Sequence, residues 1–390
     1  MTRRTHRPRP GLLLAVASLL ALASCDEDGA PVFALDAAVQ APPFNPITEE
    51  KAALGRLLFF DPILSTDGEV ACATCHVPAL AYADGLALTI GVGGVGLGPD
   101  RVPGAEFPNA GRNSQTLLNV AFNGLGGPLT SFDPTRSPMF WDHRTRGLEA
   151  QVLEPIASDA EMRGSSILEE EAVPQAVERL RAIEEYVLLF EEAFGPGEID
   201  ATRLSYALAT FLRTLVARNS PFDRYMRGDH NALTGLQRQG FSAFHEAECS
   251  ECHNGPMFSD WSLRVLGVPP HPDQLELDDG AGGFRFRATG LRNVELTAPY
   301  MHNGSIATLE EVVDFYSDGD SLHPNVQSNE IERRDLSDGD RLAIVAFLES
   351  LTDPDFDRSV PDSVPSGLPV PGASSNPGAG PSVAAASGVR

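Results

Sequence analysis

The sequence predicts a mainly α-helical, loop-rich protein built from two similar halves, and three observations carry that prediction. Apolar residues recur at three- and four-residue spacing in several segments, as at Leu204, Leu208 and Leu212, which is the period of an amphipathic helix. The alternating pattern of a half-buried strand is scarce. The pattern Cys-x-x-Cys-His occurs twice, at 72–76 and 249–253, which places one copy in each half.

The helical periodicity also predicts where the individual helices lie, with Gly-rich loops at 91–98 and 124–127 between them. The segments with this period are 48–59, 146–154, 172–193, 200–217, 233–246, 308–316 and 338–351. Each half therefore runs in the same order, from a helix to the cysteine motif and then into a long loop-rich stretch.

The two chain ends differ in composition from the segment between them. Residues 1–25 combine four arginines with a 13-residue apolar stretch at 11–23, too short for a bilayer span of about 20 residues. Cys25 follows small residues, which predicts a lipoprotein-type signal peptide and a lipid anchor at Cys25, with ordinary signal cleavage as the alternative. Residues 26–46 are expected to be a tether, and 354–390, rich in Pro, Ser, Gly and Ala, a disordered tail.

The charge balance excludes one class of partner. The chain carries 54 acidic and 29 basic residues, a formal net charge of −25. Nucleic acid demands a basic face, so no nucleic-acid partner is expected. High solubility is the ordinary consequence of such a charge, and docking to a basic protein is the alternative.

The two cysteine motifs predict two covalently bound c-type haems. Two residues between the cysteines let both sulfurs reach the vinyl positions of one porphyrin, and the next residue sends its imidazole to the iron. The predicted attachment and ligand residues are Cys72, Cys75 and His76 for the first haem, and Cys249, Cys252 and His253 for the second. A disulfide or a zinc site is the alternative, but a disulfide gives the histidines no role. We therefore expect the two halves to be two cytochrome c-like haem domains, with the first at 47–219 and the second at 220–353.

The sixth ligand of each iron decides between peroxide chemistry and electron transfer. The loop from 77 to 101 after the first motif contains no histidine, methionine, cysteine or lysine. We therefore expect the first haem to be the open, peroxide-reactive site.

The chain resembles the bacterial di-haem cytochrome c peroxidase superfamily, and within it the MauG branch, over residues 47–352. The order of several stretches carries the resemblance. They are LGRLLFFDPILS (54–65), CATCH (72–76), GRNSQTLLNVAFN (111–123), FWDHRTRGLEAQVLEPIASDAEM (140–162), SPFDRYMRGD (220–229), CSECHNGP (249–256) and LRNVELTAPYMHNGSIATLEEVVDFY (291–316).

The resemblance implies roles for four residues of the first half. Trp141 matches a tryptophan that relays electrons between the haems. Gln151, Pro155 and Glu161 match the peroxide pocket over the open iron face. A carboxylate such as Glu161 can move a proton between the two peroxide oxygens. Without the resemblance, the simpler interpretation of Glu161 is a solvated acidic residue in a loop, and that of Trp141 is an aromatic residue of the core.

The resemblance also implies a calcium ion between the halves and a second ligand for the second haem. Asn113, Thr297 and Pro299 match the calcium site, the latter two through carbonyl oxygens, which suit a hard cation. His302 matches a histidine near the haems. Tyr316 lies 14 residues after His302, where other members hold a methionine ligand and the MauG branch a tyrosine; on the helix alone, Tyr316 reads as a core aromatic.

These matches imply an oxidoreductase that uses hydrogen peroxide to oxidise a Trp or Tyr side chain of another exported, periplasmic protein. Electrons would travel over a long distance through a high-valent di-haem state. Two alternatives stay open. One is a peroxidase that detoxifies hydrogen peroxide with electrons from a small redox protein, and the other is a non-catalytic electron carrier.

Three positions depart from the MauG pattern or extend it. Ala247 stands where that branch has a surface tryptophan on its electron exit route, and His143 replaces a glycine. Trp261 is a candidate for another relay, with a packing role as the alternative. The chain also resembles the di-haem enzymes of methanobactin operons, which implies a copper-binding protein as one candidate partner.

Overall fold

The computed structural model describes residues 34–126, 132–326 and 330–373. The expected signal peptide, Cys25, the first part of the tether and residues 374–390 of the expected tail lie outside the described residues. Within the described ranges, no helix combines the length and apolarity needed to cross a membrane.

The fold is mainly helical, as predicted. The helices are α1 (Glu49–Phe60), α2 (Cys72–Cys75), α3 (Leu148–Gln151), α4 (Glu154–Ala157), α5 (Glu169–Arg181), α6 (Glu184–Phe194), α7 (Ala201–Thr214), α8 (Pro221–Met226), α9 (Gly235–Glu246), α10 (Leu309–Asp318) and α11 (Asp338–Glu349). Short antiparallel strands pair β1 (Pro138–Met139) with β2 (Thr145–Arg146) and β3 (Leu263–Arg264) with β4 (Phe286–Arg287).

Two of the expected helices are broken in the structure. The segment 172–193 forms α5 and α6, because Ile183 between them has an extended backbone with φ −107° and ψ 111°. The segment 146–154 gives way to α3 and α4. Pro155 has no backbone N–H and cannot continue α3, so it sits in the first turn of a new helix.

Each half is organised around one close helix crossing. In the first half α1 packs against α7, where a Cβ at Gly55 would overlap the carbonyl oxygen of Ala207. In the second half α9 packs against α11, and a Cβ at Gly240 would overlap the carbonyl oxygen of Ala343. Glycine is required at both crossings because only a missing side chain lets the backbones approach so closely.

The two halves have separate apolar cores. The first core lies among α1, α5, α6 and α7 and includes Leu54, Phe59 and Phe211. The second core is built around Phe347 of α11, whose ring lies 5.2–5.8 Å from four other phenylalanine rings. These rings stand mostly edge-to-face or tilted, the geometry that aromatic quadrupoles favour.

The segment before α1 is packed, so the expectation of a tether is wrong for residues 34–46. Leu35 and Asn45 are completely buried. The Leu35 N–H donates to Asp223 Oδ1 at 3.0 Å, which fastens this segment to the second half. The sequence predicts a tether here because the segment is acidic and then rich in Ala and Pro, without a helical period.

The expectation of a disordered tail is likewise wrong for residues 354–373, which we call the C-terminal strap. Phe356, Val364, Val370 and Ala373 belong to the first core. The Tyr82 hydroxyl donates to the Asp357 carbonyl at 2.9 Å. The apolar residues of the strap are irregularly spaced and leave no periodic signal, although they bury as effectively as a helix face.

We expect Phe356→Ala to lower the free energy of unfolding by about 3–5 kcal/mol, because it removes a buried ring and leaves a cavity. Chemical denaturation of the haem-loaded protein measures this change. Leu342→Ala is the matched control, since Leu342 is 61% exposed and its loss should cost less than about 0.5 kcal/mol. Equal effects of the two substitutions would contradict a packed strap.

Candidate functional site

The first cysteine motif places its histidine by one backbone contact. Cys72 and Cys75 lie on α2, and His76 caps the end of that helix. The His76 Nδ1–H donates to the Tyr82 carbonyl oxygen at 2.9 Å. This bond fixes the tautomer and leaves Nε2 free to act as a metal ligand.

The second motif repeats the arrangement. The His253 Nδ1–H donates to the Phe258 carbonyl oxygen at 3.0 Å. Tyr82 and Phe258, the two residues that supply these carbonyls, are buried aromatics with positive φ values of 58° and 53°. Burial lowers the pKa of both histidines, so both are neutral, as a ligand to iron must be.

The alternatives to haem attachment do not fit the motifs. Neither cysteine pair forms a disulfide in the structure. Among the described residues, no group of three His, Cys, Asp or Glu side chains converges as a metal site would require. Each motif instead opens onto a large cavity with an oriented imidazole, which fits a haem held by two thioethers and one histidine.

The first cavity has a volume of about 540 Å³ and brings together most of the expected site residues. Its walls include both cysteines of the first motif and His76. The other expected residues in its walls are Gln151, Pro155, Glu161, Trp141, Asn113, Thr297 and Pro299.

Glu161 is held in this wall by a short π-helical turn, Asp159–Arg163. Burial raises the pKa of its carboxyl, and the nearby Arg144 opposes that shift. Burial also raises the pKa of Cys72 to about 12, and the Glu161 carboxylate adds to this effect. The Glu161 carboxylate therefore lies on the side of the cavity where Cys72 would attach the first haem.

Gly91 sets the position of the Glu161 backbone. A Cβ on Gly91 would overlap the Ala160 carbonyl oxygen and lie 2.6 Å from Glu161 Cα. We expect Gly91→Ala to displace Glu161 and to slow the reaction with peroxide about 10²-fold, as a shift of about 1 Å in a catalytic group does. Stopped-flow spectroscopy measures this rate.

The control for Gly91 is Gly126→Ala, because an added Cβ there meets no atom of the described residues within 4 Å. This variant should react with peroxide at the native rate. A native rate in Gly91→Ala would show that the close contact does not position Glu161.

The second cavity, of about 230 Å³, contains the expected ligands of the second haem. Its walls include Cys249, Cys252, His253, His302 and Tyr316. Burial raises the pKa of the Tyr316 phenol, and the two cysteines of the motif add to that effect. The Tyr316 hydroxyl therefore lies near both attachment points, and no described residue forms a hydrogen bond with it.

His302 is buried and stacks on Phe286, with ring centroids 3.6 Å apart. Burial lowers its pKa to about 4, and the nearby carboxylate of Asp278 opposes this shift. Its carbonyl oxygen accepts a hydrogen bond from the Asn113 N–H at 2.8 Å. His302 thus joins the second cavity to the wall of the first.

Trp141 lines both cavities. Its indole N–H donates to the Asn113 carbonyl at 2.9 Å, and its own carbonyl accepts from the Arg287 N–H at 2.7 Å. The ring is therefore fixed at the seam between the halves.

The three expected calcium ligands lie close together. The Asn113 side-chain N–H donates to the Pro299 carbonyl oxygen at 3.3 Å, and Thr297 lines the same cavity wall. The set offers neutral amide and carbonyl oxygens, which are acceptable ligands for a hard cation but carry no compensating charge.

Four methionines also line the first cavity and were not identified from the sequence. They are Met139, Met162, Met257 and Met301. The prediction of an open first iron rests on the loop 77–101, whereas these methionines come from other segments of the chain. They bring thioethers into the wall of the first cavity.

The three positions that depart from the MauG pattern or extend it lie in different parts of the structure. Ala247 is buried and lines the second cavity. Trp261 lines the first cavity, and its indole N–H donates to the Leu125 carbonyl at 3.0 Å. His143 Nε2 is buried without a hydrogen-bond partner among the described residues, and burial lowers the His143 pKa to about 4.

Comparisons with known proteins show which family the chain resembles. A family model for di-haem cytochrome c peroxidase matches residues 49–231. The methylamine utilization protein MauG of Methylorubrum extorquens is 38% identical over 80% of this chain and 81% of its own. The cytochrome c551 peroxidase of Pseudomonas aeruginosa is 32% identical over 88% and 91%.

A solved structure is similar as well. It is that of a MauG-like protein associated with microbial copper homeostasis, and it superposes with a TM-score of 0.65 at 28% identity. The match covers 85% of this chain and 95% of that protein.

Proposed function

This chain belongs to the di-haem cytochrome c peroxidase family, and from that premise we propose that it uses hydrogen peroxide to oxidise a tryptophan or tyrosine side chain of another exported protein. The observation that carries the proposal is Tyr316, which lines the second cavity beside His253. A phenolate oxygen is a harder, more anionic ligand than a methionine sulfur and favours oxidised iron.

The proposed division of labour follows the two cavities. His76 would hold the iron of the first haem, and His253 with Tyr316 that of the second. When bound, the haems supply the iron centres at which peroxide is reduced and oxidising equivalents are held. The rest of the chemistry is the work of the protein's own side chains.

Glu161 would accept a proton from one peroxide oxygen and return it to the other. Its buried setting supports this role, because a carboxyl with a raised pKa exchanges protons readily near neutral pH. Gln151 and Pro155, in the same cavity wall, would orient the peroxide and limit the entry of water. Asn113, Thr297 and Pro299 would hold a calcium ion at the seam.

Trp141 would relay electrons between the two centres. We expect Trp141→Phe to leave the reaction at the first site intact but to prevent oxidation of the second, since a phenyl ring is much harder to oxidise than an indole. Rapid-scan spectra separate the two haems, and Trp261→Phe tests the other candidate relay. Normal oxidation of the second haem in Trp141→Phe would exclude the relay.

The protein substrate would be oxidised at a distance and would need no cavity of its own. The similar structure of a protein associated with copper homeostasis makes an exported copper-binding protein the first partner to test. Because Ala247 replaces the exit tryptophan of the MauG branch, the partner should dock at a different surface. We further propose that the enzyme works in the periplasm, anchored through Cys25.

Visible and electron spin resonance spectra of the ferric protein test the proposal, before and after one equivalent of hydrogen peroxide. One high-spin and one low-spin haem, followed by a long-lived oxidised state, are expected. Rapid turnover with a reduced small cytochrome would instead establish a detoxifying peroxidase. Two low-spin haems that do not react with peroxide would indicate an electron carrier with a methionine on the first iron.

A further inference from the structure

Arg287 has an unusual position for a charged residue. It lies in β4, is only 7% exposed, and lines both cavities. Its Nη1 donates to the Pro138 carbonyl at 2.6 Å and its Nη2 to the Gln115 side-chain oxygen at 3.0 Å. Both acceptors are neutral, so neither balances the positive charge.

Two other buried arginines of the described chain have carboxylate partners, and a third, Arg101, donates from Nε, Nη1 and Nη2 to backbone carbonyl oxygens. Arg213 pairs with Glu149 at 2.6 Å and Arg292 with Asp223 at 2.8 Å, and both arginine side chains are 1% exposed. The carboxylate of Asp142 acts on Arg287 from a distance but pairs with Arg112 and Arg144, and Arg287 itself forms no ion pair among the described residues. The Arg287 Nε is buried without a hydrogen-bond partner among the same residues. A buried charge without a counter-ion is strongly unfavourable, so an anion is expected to bind at this point.

The surroundings of the guanidinium indicate where that anion lies. Gln115, which accepts from Nη2, is part of the wall of the first cavity. Trp261 also lines that cavity, and the guanidinium carbon stands 5.6 Å from the centre of its ring. Two neighbours of the charged group therefore belong to the first haem site.

We propose that Arg287 binds a propionate carboxylate of the first haem. A haem brings two carboxylates into its site, and a guanidinium edge matches a carboxylate with two parallel hydrogen bonds. The unpartnered Nε supplies one donor of that edge. The inference requires a haem at Cys72 and Cys75 but holds whichever molecule is oxidised, so it goes beyond the proposed function.

The contact has two consequences for the seam. A fixed positive charge beside the first haem favours the reduced iron, because reduction adds a negative charge, and so it raises the reduction potential. The Arg287 backbone N–H also bonds to the Trp141 carbonyl at 2.7 Å. One residue thus connects the edge of the first haem to Trp141, the residue between the two cavities.

The test uses haem-loaded Arg287→Met, in which an uncharged side chain of similar length replaces the guanidinium. We expect the resonance Raman band of propionate bending to shift for the first haem alone. The reduction potential of that haem should fall and become dependent on pH between about pH 5 and 8, because a buried carboxylate without its partner takes up a proton. An unmoved band together with a pH-independent potential would overturn the proposal.

Arg144→Gln is the matched control, since it also removes a positive charge from the first cavity wall. Arg144 already has Asp142 and Glu154 as partners, so the propionate band should stay in place. If Arg287→Met does not accumulate with its haems, Arg287→Lys replaces it. A lysine donates from a single atom, so the band should move part of the way, and an unmoved band overturns the proposal.

Discussion

Replacing Glu161 by glutamine should slow the reaction with hydrogen peroxide about 10²- to 10⁴-fold, the usual contribution of a general acid–base group. Glutamine keeps the size and hydrogen-bonding ability of the side chain but cannot accept the peroxide proton. The measurement is the second-order rate constant for spectral change of the first haem after rapid mixing with peroxide.

The direction in which the rate changes with pH can also be predicted. Burial raises the pKa of Glu161 above the ordinary value of 4.5 for glutamate, and the residue must be ionised to act as a base. The native rate should therefore fall as the pH drops through this raised pKa. Glu161→Gln should show a low rate that does not change over the same range.

Asp159→Asn is the matched control, because Asp159 lies in the same turn and lines the same cavity. Its side chain is 59% exposed and pairs with Arg163, so its loss should leave the rate within a few-fold of native. A native rate and a native pH profile in Glu161→Gln would remove Glu161 from the proton transfer.

Tyr316→Phe should abolish the long-lived oxidised state that we expect after reaction with peroxide. The substitution deletes one oxygen atom from the wall of the second cavity and otherwise preserves the ring and its packing on α10. Loss of an anionic oxygen ligand disfavours oxidised iron. The spectrum of the second ferric haem should change as well, since its coordination changes.

Tyr300→Phe provides the control, because Tyr300 also lines the second cavity. Its hydroxyl donates to the Val294 carbonyl at 3.2 Å, so its removal should cost only about 0.5–1.5 kcal/mol of stability. The ferric spectrum and the oxidised state should both survive. An unchanged ferric spectrum in Tyr316→Phe would exclude Tyr316 as a ligand.

The parts of the site that were predicted from the sequence are those fixed by covalent chemistry or by local spacing. The two Cys-x-x-Cys-His motifs predict haem attachment, because two thioethers to one porphyrin require two residues between the cysteines. The helices around Leu204 and Leu208 were found because a buried face leaves a periodic trace. The residues of the peroxide pocket, by contrast, were found through the family resemblance and then met in one cavity.

Features that depend on tertiary contacts could not be predicted, because they leave no motif or period in the sequence. Arg287 is one of 29 basic residues in the sequence, and only the structure shows that it is buried without a carboxylate. The carbonyls of Tyr82 and Phe258 orient the two histidines, but any residue supplies a carbonyl. The strap was missed because its buried residues follow no period.

The position of the strap in the sequence also determines when the first core can be completed during synthesis. Residues 354–373 leave the ribosome after both cysteine motifs, yet Phe356 and Val364 complete the core of the first half. A chain emerging from its N-terminus therefore cannot complete that core until the strap has been synthesised, after both motifs. We therefore expect the first motif to remain accessible for haem attachment until the strap packs onto the first half.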